Sequence, residues 1–106
     1  MALSKRGCAN DHAPTVADGL RTSLVSRTLP TLRRHLANVF PVSEEEILGA
    51  MRFAQENLQL AIEPSSAVAL APLLRREPAV AGRRGVVILT GGNVDLDSFW
   101  PSVTRT

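Results

Sequence analysis

The chain has 106 residues, of which 44% are hydrophobic and 21% are charged, and its formal net charge at pH 7 is +2. This length allows one domain or less, and the apolar content is typical of a globular segment. No apolar run approaches the ~20 residues that a membrane-spanning helix needs, and residues 1–11 lack the apolar core of a secretory signal. These features predict a cytoplasmic location and no membrane partner.

The basic residues and the cysteine argue against two further kinds of protein. The arginines are spread along the chain, with pairs at 33–34, 75–76 and 83–84, and only 4% of the residues are aromatic. Nucleic-acid binding usually needs a continuous basic patch and stacking aromatics, so no nucleic-acid partner is predicted. Cys8 is the single cysteine, which excludes an internal disulfide and favours a reducing compartment.

The first part of the chain gives only weak signals. Residues 1–12 are polar and aperiodic, and they are predicted to form a disordered tail. Residues 28–37 are predicted to form a short helix, with Thr28 as its N-cap and Pro30 in its first turn. Residues 38–42 follow as a short strand, which should lie at a sheet edge because it contains a proline.

The run Ser43-Glu44-Glu45-Glu46 is the best local signal. It is a capping box, in which the Ser43 hydroxyl accepts from the N–H of Glu46 and the Glu46 carboxylate reaches back. An amphipathic helix is therefore predicted from residue 44 to about residue 60. Its apolar stripe consists of Ile47, Met51, Ala54, Leu58 and Ala61.

Pro64 suits the first turn of another helix, and small side chains follow it at 65–71. Small side chains allow close approach either to another helix or to a ligand, and the residues alone leave both interpretations open. Residues 75–85 are predicted to form a basic loop.

The apolar run at 86–89 ends in Thr90-Gly91-Gly92-Asn93. The run is rich in β-branched residues and bounded by glycines, which predicts a buried strand. A strand that ends in a hydroxyl and two glycines allows a ligand to approach the backbone closely. Asp95 is the predicted N-cap of a final short helix containing Leu96, Phe99 and Trp100.

Four blocks, taken in order, resemble the C-terminal part of pyridoxal-phosphate enzymes of the threonine dehydratase and serine racemase family. The blocks lie at 17–24, 42–47, 62–70 and 89–96, and the resemblance covers about residues 13–100. The family's Schiff-base lysine and Gly-rich phosphate loop have no counterpart in this sequence. Val25 stands where relatives usually carry glycine.

The resemblance implies an α/β fold of the tryptophan synthase β-like type. The chain would be the C-terminal fragment of a pyridoxal-phosphate-dependent fold type II enzyme, with helices packed on an incomplete sheet. Residues 13–106 would form the C-terminal part of a dehydratase domain whose N-terminal half is missing. Such a piece has too few strands for a sheet of its own.

The resemblance also implies the contacts with the cofactor, pyridoxal phosphate. Thr90 takes the position of the family's hydroxyl that hydrogen-bonds the pyridine nitrogen, and a neutral hydroxyl does not force that nitrogen to be protonated. Gly91 and Gly92 would keep the ring edge uncrowded. Glu63 and Asn93 match residues near the cofactor or nucleotide-effector pocket. No catalytic residue and no metal ligand is predicted within this chain.

The favoured interpretation is that the chain is the C-terminal segment of a pyridoxal-phosphate-dependent enzyme of amino-acid metabolism. That enzyme would be an L-threonine/L-serine ammonia-lyase (dehydratase) or a serine racemase. It would act on a small amino acid and be inactive alone, because the lysine and the phosphate loop are absent. The alternative is a non-catalytic remnant that acts as an interaction module through the helix carrying Met51 and Phe53. Homo-oligomers are a further expectation. A small basic interaction domain is a third interpretation.

Overall fold

The computed structural model describes residues 15–20, 26–95 and 97. No strand occurs among these residues, and none of their helices is long and apolar enough to cross a membrane. The elements in chain order are a 3₁₀ turn at Asp18–Leu20, α1 at Thr28–His35, α2 at Glu44–Phe53, a π-helical turn at Ala54–Leu58, α3 at Pro64–Ala67 and α4 at Ala71–Leu74.

Helix α2 begins at the predicted capping box. The Ser43 hydroxyl accepts from the backbone N–H of Glu46 at 3.1 Å, and the Glu46 carboxylate accepts from the N–H of Ser43 at 2.9 Å. The hydrogen bond from the Ser43 N–H lowers the pKa of Glu46. Partial desolvation raises this pKa, and the contacts with Arg75 lower it further. The capping box is confirmed, and it fixes where the helix starts.

Arg75 ties the end of α4 to the segment that enters α2. Its guanidinium donates to the carbonyl oxygen of Pro41 at 2.7 Å and to the Glu46 carboxylate at 3.1 Å. It also forms an ion pair with Glu77 at 2.8 Å. The capping box and the end of α4 are thereby held together across 29 positions of sequence.

The core lies where α2 packs on α3 and α4. Ala50, Ala54 and Ala67 have no exposed surface, so the helix backbones approach closely there. The small residues after Pro64 thus serve helix packing. The remaining buried apolar residues are Ala17, Ile47, Met51, Ile62, Leu70 and Ala71.

The apolar stripe of α2 is buried only in its first half. Ile47, Met51 and Ala54 are buried as predicted, but Leu58 is 45% exposed and Ala61 is also exposed. The reason is the π-helical turn that follows α2, because the wider turn shifts later residues around the helix axis. Gln59, in a left-handed conformation, then ends the helix.

Helix α1 differs from its prediction at both ends. It ends at His35 rather than at residue 37, and its N-cap position is occupied by Arg27 rather than Thr28. No residue of α1 is buried. A helix without a buried face has little tertiary packing to extend it, which accounts for its shortness.

The predicted strands at 38–42 and 86–89 are wrong for this structure, in which both stretches belong to no helix or strand. No backbone hydrogen bond joins residues 84–90 to another described residue. Alternation typical of a strand is still present: Val86 is 92% and Ile88 73% exposed, whereas Val87 and Leu89 are half-buried. A strand requires a neighbouring strand for its hydrogen bonds, and the described residues supply none.

Several predictions fall outside the described residues. They concern the tail at 1–12, Val25, and the part of the last helix that contains Leu96, Phe99 and Trp100. The carboxylate of Asp95 does accept from the N–H of Asp97 at 3.1 Å, which is the hydrogen bond expected of the predicted N-cap.

Candidate functional site

After its exposed extended stretch, the chain turns at Gly91 towards the start of α3. The carbonyl oxygen of Gly91 accepts from the backbone N–H of Glu63 at 3.3 Å. Gly91 has a φ of +78°, a left-handed conformation that strains residues with a Cβ. This hydrogen bond brings together two of the blocks that carry the family resemblance, 62–70 and 89–96.

Neighbouring atoms also lie close to the two glycines. A Cβ at Gly91 would lie 2.7 Å from the carboxylate carbon of Glu63, well inside van der Waals contact. A Cβ at Gly92 would lie 3.0 Å from the carbonyl oxygen of Ala61. Gly91 is therefore favoured mainly by its left-handed backbone, and a side chain at Gly92 would require a small shift of the backbone at Ala61.

The side chains of Thr90, Asn93 and Glu63 border this turn. Thr90 and Asn93 are exposed, and Glu63 is half-buried. None of the three side chains forms a hydrogen bond or ion pair with another described residue, so their polar atoms remain available. The structure thus brings the five predicted site residues into one region, while their contacts with a cofactor stay a prediction.

The N-terminal block packs against the same place. The N–H of Gly19 donates to the hydroxyl of Ser65 at 3.0 Å, at the start of α3. The N–H of Val16, directly before this block, donates to the carboxylate of Glu44 at 2.8 Å, in the first turn of α2. Blocks 17–24 and 89–96 therefore contact the start of α3 directly, and Val16 connects the N-terminal segment to the start of α2.

Sequence reasoning missed Ser65 as the residue that positions the N-terminal block. A Cβ at Gly19 would lie 2.8 Å from the Ser65 hydroxyl oxygen, so this contact also depends on a glycine. The signal available in the sequence was a serine directly after a Glu-Pro helix start. It does not reveal a partner 46 positions away.

Comparison with known proteins identifies the family. The family model described as pyridoxal-phosphate dependent enzyme matches residues 2–91, and this match includes residues 2–12, which the resemblance had left out. A β-hydroxyaspartate dehydratase from Paracoccus denitrificans is 45% identical over 91 residues, which are 86% of this chain and 29% of that protein. A serine racemase from Arabidopsis thaliana is 41% identical, over 83% of this chain and 28% of that protein.

Solved structures agree. The crystal structure of T.th. threonine deaminase matches with a TM-score of 0.71 and 38% identity, over 77% of this chain and 30% of that one. Serine racemase from Dictyostelium discoideum matches with a TM-score of 0.69 and 40% identity, over 80% of this chain and 29% of that one. These likenesses confirm the predicted fold class, and the chain spans less than a third of the relatives named. The chain belongs to the pyridoxal-phosphate-dependent family of threonine dehydratases and serine racemases.

Proposed function

We propose that the chain is the C-terminal segment of a pyridoxal-phosphate-dependent L-threonine/L-serine ammonia-lyase (dehydratase) or serine racemase. The observation that carries the proposal is the hydrogen bond between Gly91 and Glu63, which joins the Thr90-Gly91-Gly92-Asn93 turn to the start of α3. The relatives' names refer to serine, threonine and hydroxyaspartate, all amino acids with a β-hydroxyl group. The proposed substrate is a small amino acid of this kind.

The residues around the turn fit one edge of the pyridine ring of the cofactor. Thr90 offers an exposed neutral hydroxyl, and Gly91 and Gly92 leave the backbone beside it without side chains. A nitrogen that accepts from a neutral hydroxyl keeps its lone pair and carries no proton. When bound, pyridoxal phosphate supplies an electron sink for the bonds at the substrate α-carbon.

The roles of this chain are therefore to bind and orient. Thr90 would hold the ring edge through a hydrogen bond from its hydroxyl to the pyridine nitrogen, and Asn93 and Glu63 would lie near the same edge. The only lysine of the sequence, Lys5, lies outside the described residues and is too close in sequence to the four blocks to match the family's Schiff-base lysine. Because covalent attachment of the cofactor needs a lysine amine, we propose that the chain alone is inactive.

The first test is an assay of the purified chain with pyridoxal phosphate and L-threonine or L-serine. We expect no 2-oxo acid, and a lyase activity well above the buffer rate would contradict the proposed inactivity. The unmodified Dictyostelium racemase serves as the positive control.

The second test asks whether Thr90 is a cofactor contact. Residues 13–106 would replace the matching segment of the Dictyostelium racemase, and Thr90→Ser and Thr90→Val would be compared in that chimera. We expect the serine variant to keep most of the activity and the cofactor absorbance spectrum. The activity of the valine variant should fall about tenfold or more. This factor corresponds to ~1.4 kcal/mol, the scale of one lost polar contact to the cofactor. An unaltered valine variant would contradict the proposal.

A second candidate function is an interaction module, which the exposed side chains of Val86 and Ile88 favour. The helix expected to dock a partner does not suit that role. Met51 is only 6% exposed, and Phe53 packs against the core. An interaction surface is better sought on the stretch at 84–90.

The cytoplasmic location remains a prediction, which cell fractionation would check.

A further inference from the structure

Asp18 and Gly19 form the only Asp-Gly pair of the sequence, and no asparagine precedes a glycine. An aspartate cyclises most readily before glycine, because a residue without a Cβ leaves its amide nitrogen unhindered. In this reaction the Gly19 nitrogen attacks the side-chain carboxyl carbon of Asp18, and a succinimide ring forms as one water leaves. Water then opens either carbonyl of the ring, which returns aspartate or gives isoaspartate. The net reaction is an isomerisation that needs no co-reactant.

The packing of the N-terminal block favours the glycine of this pair. A Cβ at Gly19 would lie 2.8 Å from the hydroxyl oxygen of Ser65 and 3.3 Å from the Ser65 Cβ, at the start of α3. The N–H of Gly19 donates to the same hydroxyl oxygen at 3.0 Å. A larger residue would displace this hydroxyl, so the contact that docks the block also places a glycine after Asp18.

Two hydrogen bonds oppose ring closure. The nitrogen that must attack is held through its proton by Ser65. The N–H of Leu20 donates to the carbonyl oxygen of Ala17 at 3.0 Å, which closes the 3₁₀ turn across the backbone torsions of Asp18. These torsions must rotate before the nitrogen can reach the side-chain carboxyl. That carboxyl forms no hydrogen bond with another described residue, so the protection comes from the backbone.

We propose that Asp18-Gly19 is a site of spontaneous isomerisation, and that the contact between Gly19 and Ser65 limits its rate in the folded chain. Ring closure needs release of this contact and of the 3₁₀ turn, but it does not need unfolding of α2. The reaction therefore proceeds from a locally opened state, and its rate follows the population of that state.

Isoaspartate at position 18 would detach the N-terminal block from α3. The main chain then runs through the former side-chain carboxyl and gains one methylene group. Ala17, on one side of the insertion, is 2% exposed in the core, and Gly19, on the other side, contacts Ser65. The longer link shifts the Gly19 N–H away from Ser65 when Ala17 stays buried. This change needs no cofactor, so its failure would leave the proposed function untouched.

Ageing of the full chain tests the proposal. The chain is incubated near neutral pH, folded in buffer or unfolded in guanidinium chloride. Isoaspartate is quantified by enzymatic methylation and located by mass spectrometry of the tryptic peptide 7–21. The unfolded chain should accumulate isoaspartate at position 18, and the folded chain should do so about fivefold more slowly or less, a factor that converts to ~1 kcal/mol for one hydrogen bond. Equal rates, or no isoaspartate in the unfolded chain, would overturn the proposal.

Three variants separate the contact from overall stability. Ser65→Ala removes the acceptor of the Gly19 N–H, so the folded chain should age about fivefold faster. Ser43→Ala is the matched control, because it removes a hydroxyl that caps α2 and does not contact Gly19; it should age at the wild-type rate. Asp18→Glu is the chemical control, since the larger ring closes far more slowly, and it should give no isomer. A Ser65→Ala chain that ages no faster than Ser43→Ala would contradict the role of Ser65.

The aged chain tests the structural consequence. The isoaspartate form is separated by chromatography and refolded, and amide hydrogen exchange of residues 17–20 is compared with that of the fresh chain. The Gly19 amide should be protected in the fresh chain and exposed in the isoaspartate form. Unchanged protection would show that the block stays docked. If Ser65→Ala fails to fold, the comparison of the folded and unfolded wild-type chain still decides the proposal.

Discussion

The helical region at 44–74 and the extended stretch at 84–90 differ in how far their apolar side chains find partners. Ile47 in α2 is 3% exposed, whereas Ile88 is 73% exposed. The partners of α2 come from α3 and α4, which follow closely in sequence. The extended stretch has no such neighbour among the described residues.

Backbone hydrogen bonding explains why the two regions differ. A helix satisfies its N–H and C=O groups within its own segment, but a strand depends on another strand. The helices and their local packing are therefore present among the described residues. The stretch at 84–90 has no hydrogen-bonding neighbour among them.

Truncating one isoleucine in each region gives the largest expected contrast. Ile47→Ala should lower the free energy of unfolding by ~2–5 kcal/mol, because it removes a buried side chain and leaves a cavity. Ile88→Ala should change it by less than about 0.5 kcal/mol. Denaturant unfolding at low protein concentration measures both, and similar losses would remove the distinction between the regions.

Substitution of Gly91 tests the point where the extended stretch meets the helical region. Gly91→Ala should cost ~1–3 kcal/mol, because φ is +78° and the new methyl group would collide with the Glu63 carboxylate. Gly85→Ala is the control, since a Cβ there meets nothing within 4 Å. Equal unfolding midpoints for the two variants would show that the turn is not built as described.

Removing the cap of α2 should have a smaller effect. Ser43→Ala deletes the hydroxyl that accepts from the Glu46 N–H and should cost ~1 kcal/mol. Ser26→Ala, at an exposed turn position, is the matched control and should be nearly neutral. Thermal unfolding followed by circular dichroism measures both, and a neutral Ser43→Ala would contradict the role of the cap.

The pH dependence of the same cap is the smallest expected effect. The folded-state pKa of Glu46 lies below the ordinary value of a glutamate carboxyl, mainly because its carboxylate accepts from the Ser43 N–H. The ionised carboxylate therefore stabilises the fold above the unfolded-state pKa, and this contribution disappears as the pH falls through the folded-state pKa. Acid titration of stability should show less loss below pH 4.5 for Glu46→Gln than for Glu45→Gln. Identical acid profiles would contradict the pKa shift.

The capping box could be predicted because its two partners are three positions apart. The buried stripe from Ile47 to Ala54 could be predicted because helical periodicity is local. The π-helical turn was not predictable, since no residue type marks it. The Arg75 contacts with Glu46 and Pro41 were also missed, because they join distant positions. The five predicted site residues came from the family resemblance, and the spacing of Glu63 and Gly91 in the sequence would not have predicted the hydrogen bond between them.

Amide hydrogen exchange across the chain tests the account most directly. Amides at 47–54 should be protected, and those at 84–90 should exchange almost as fast as an unfolded peptide. Strong protection of 84–90 would contradict the claim that this stretch has no hydrogen-bonding neighbour among the described residues.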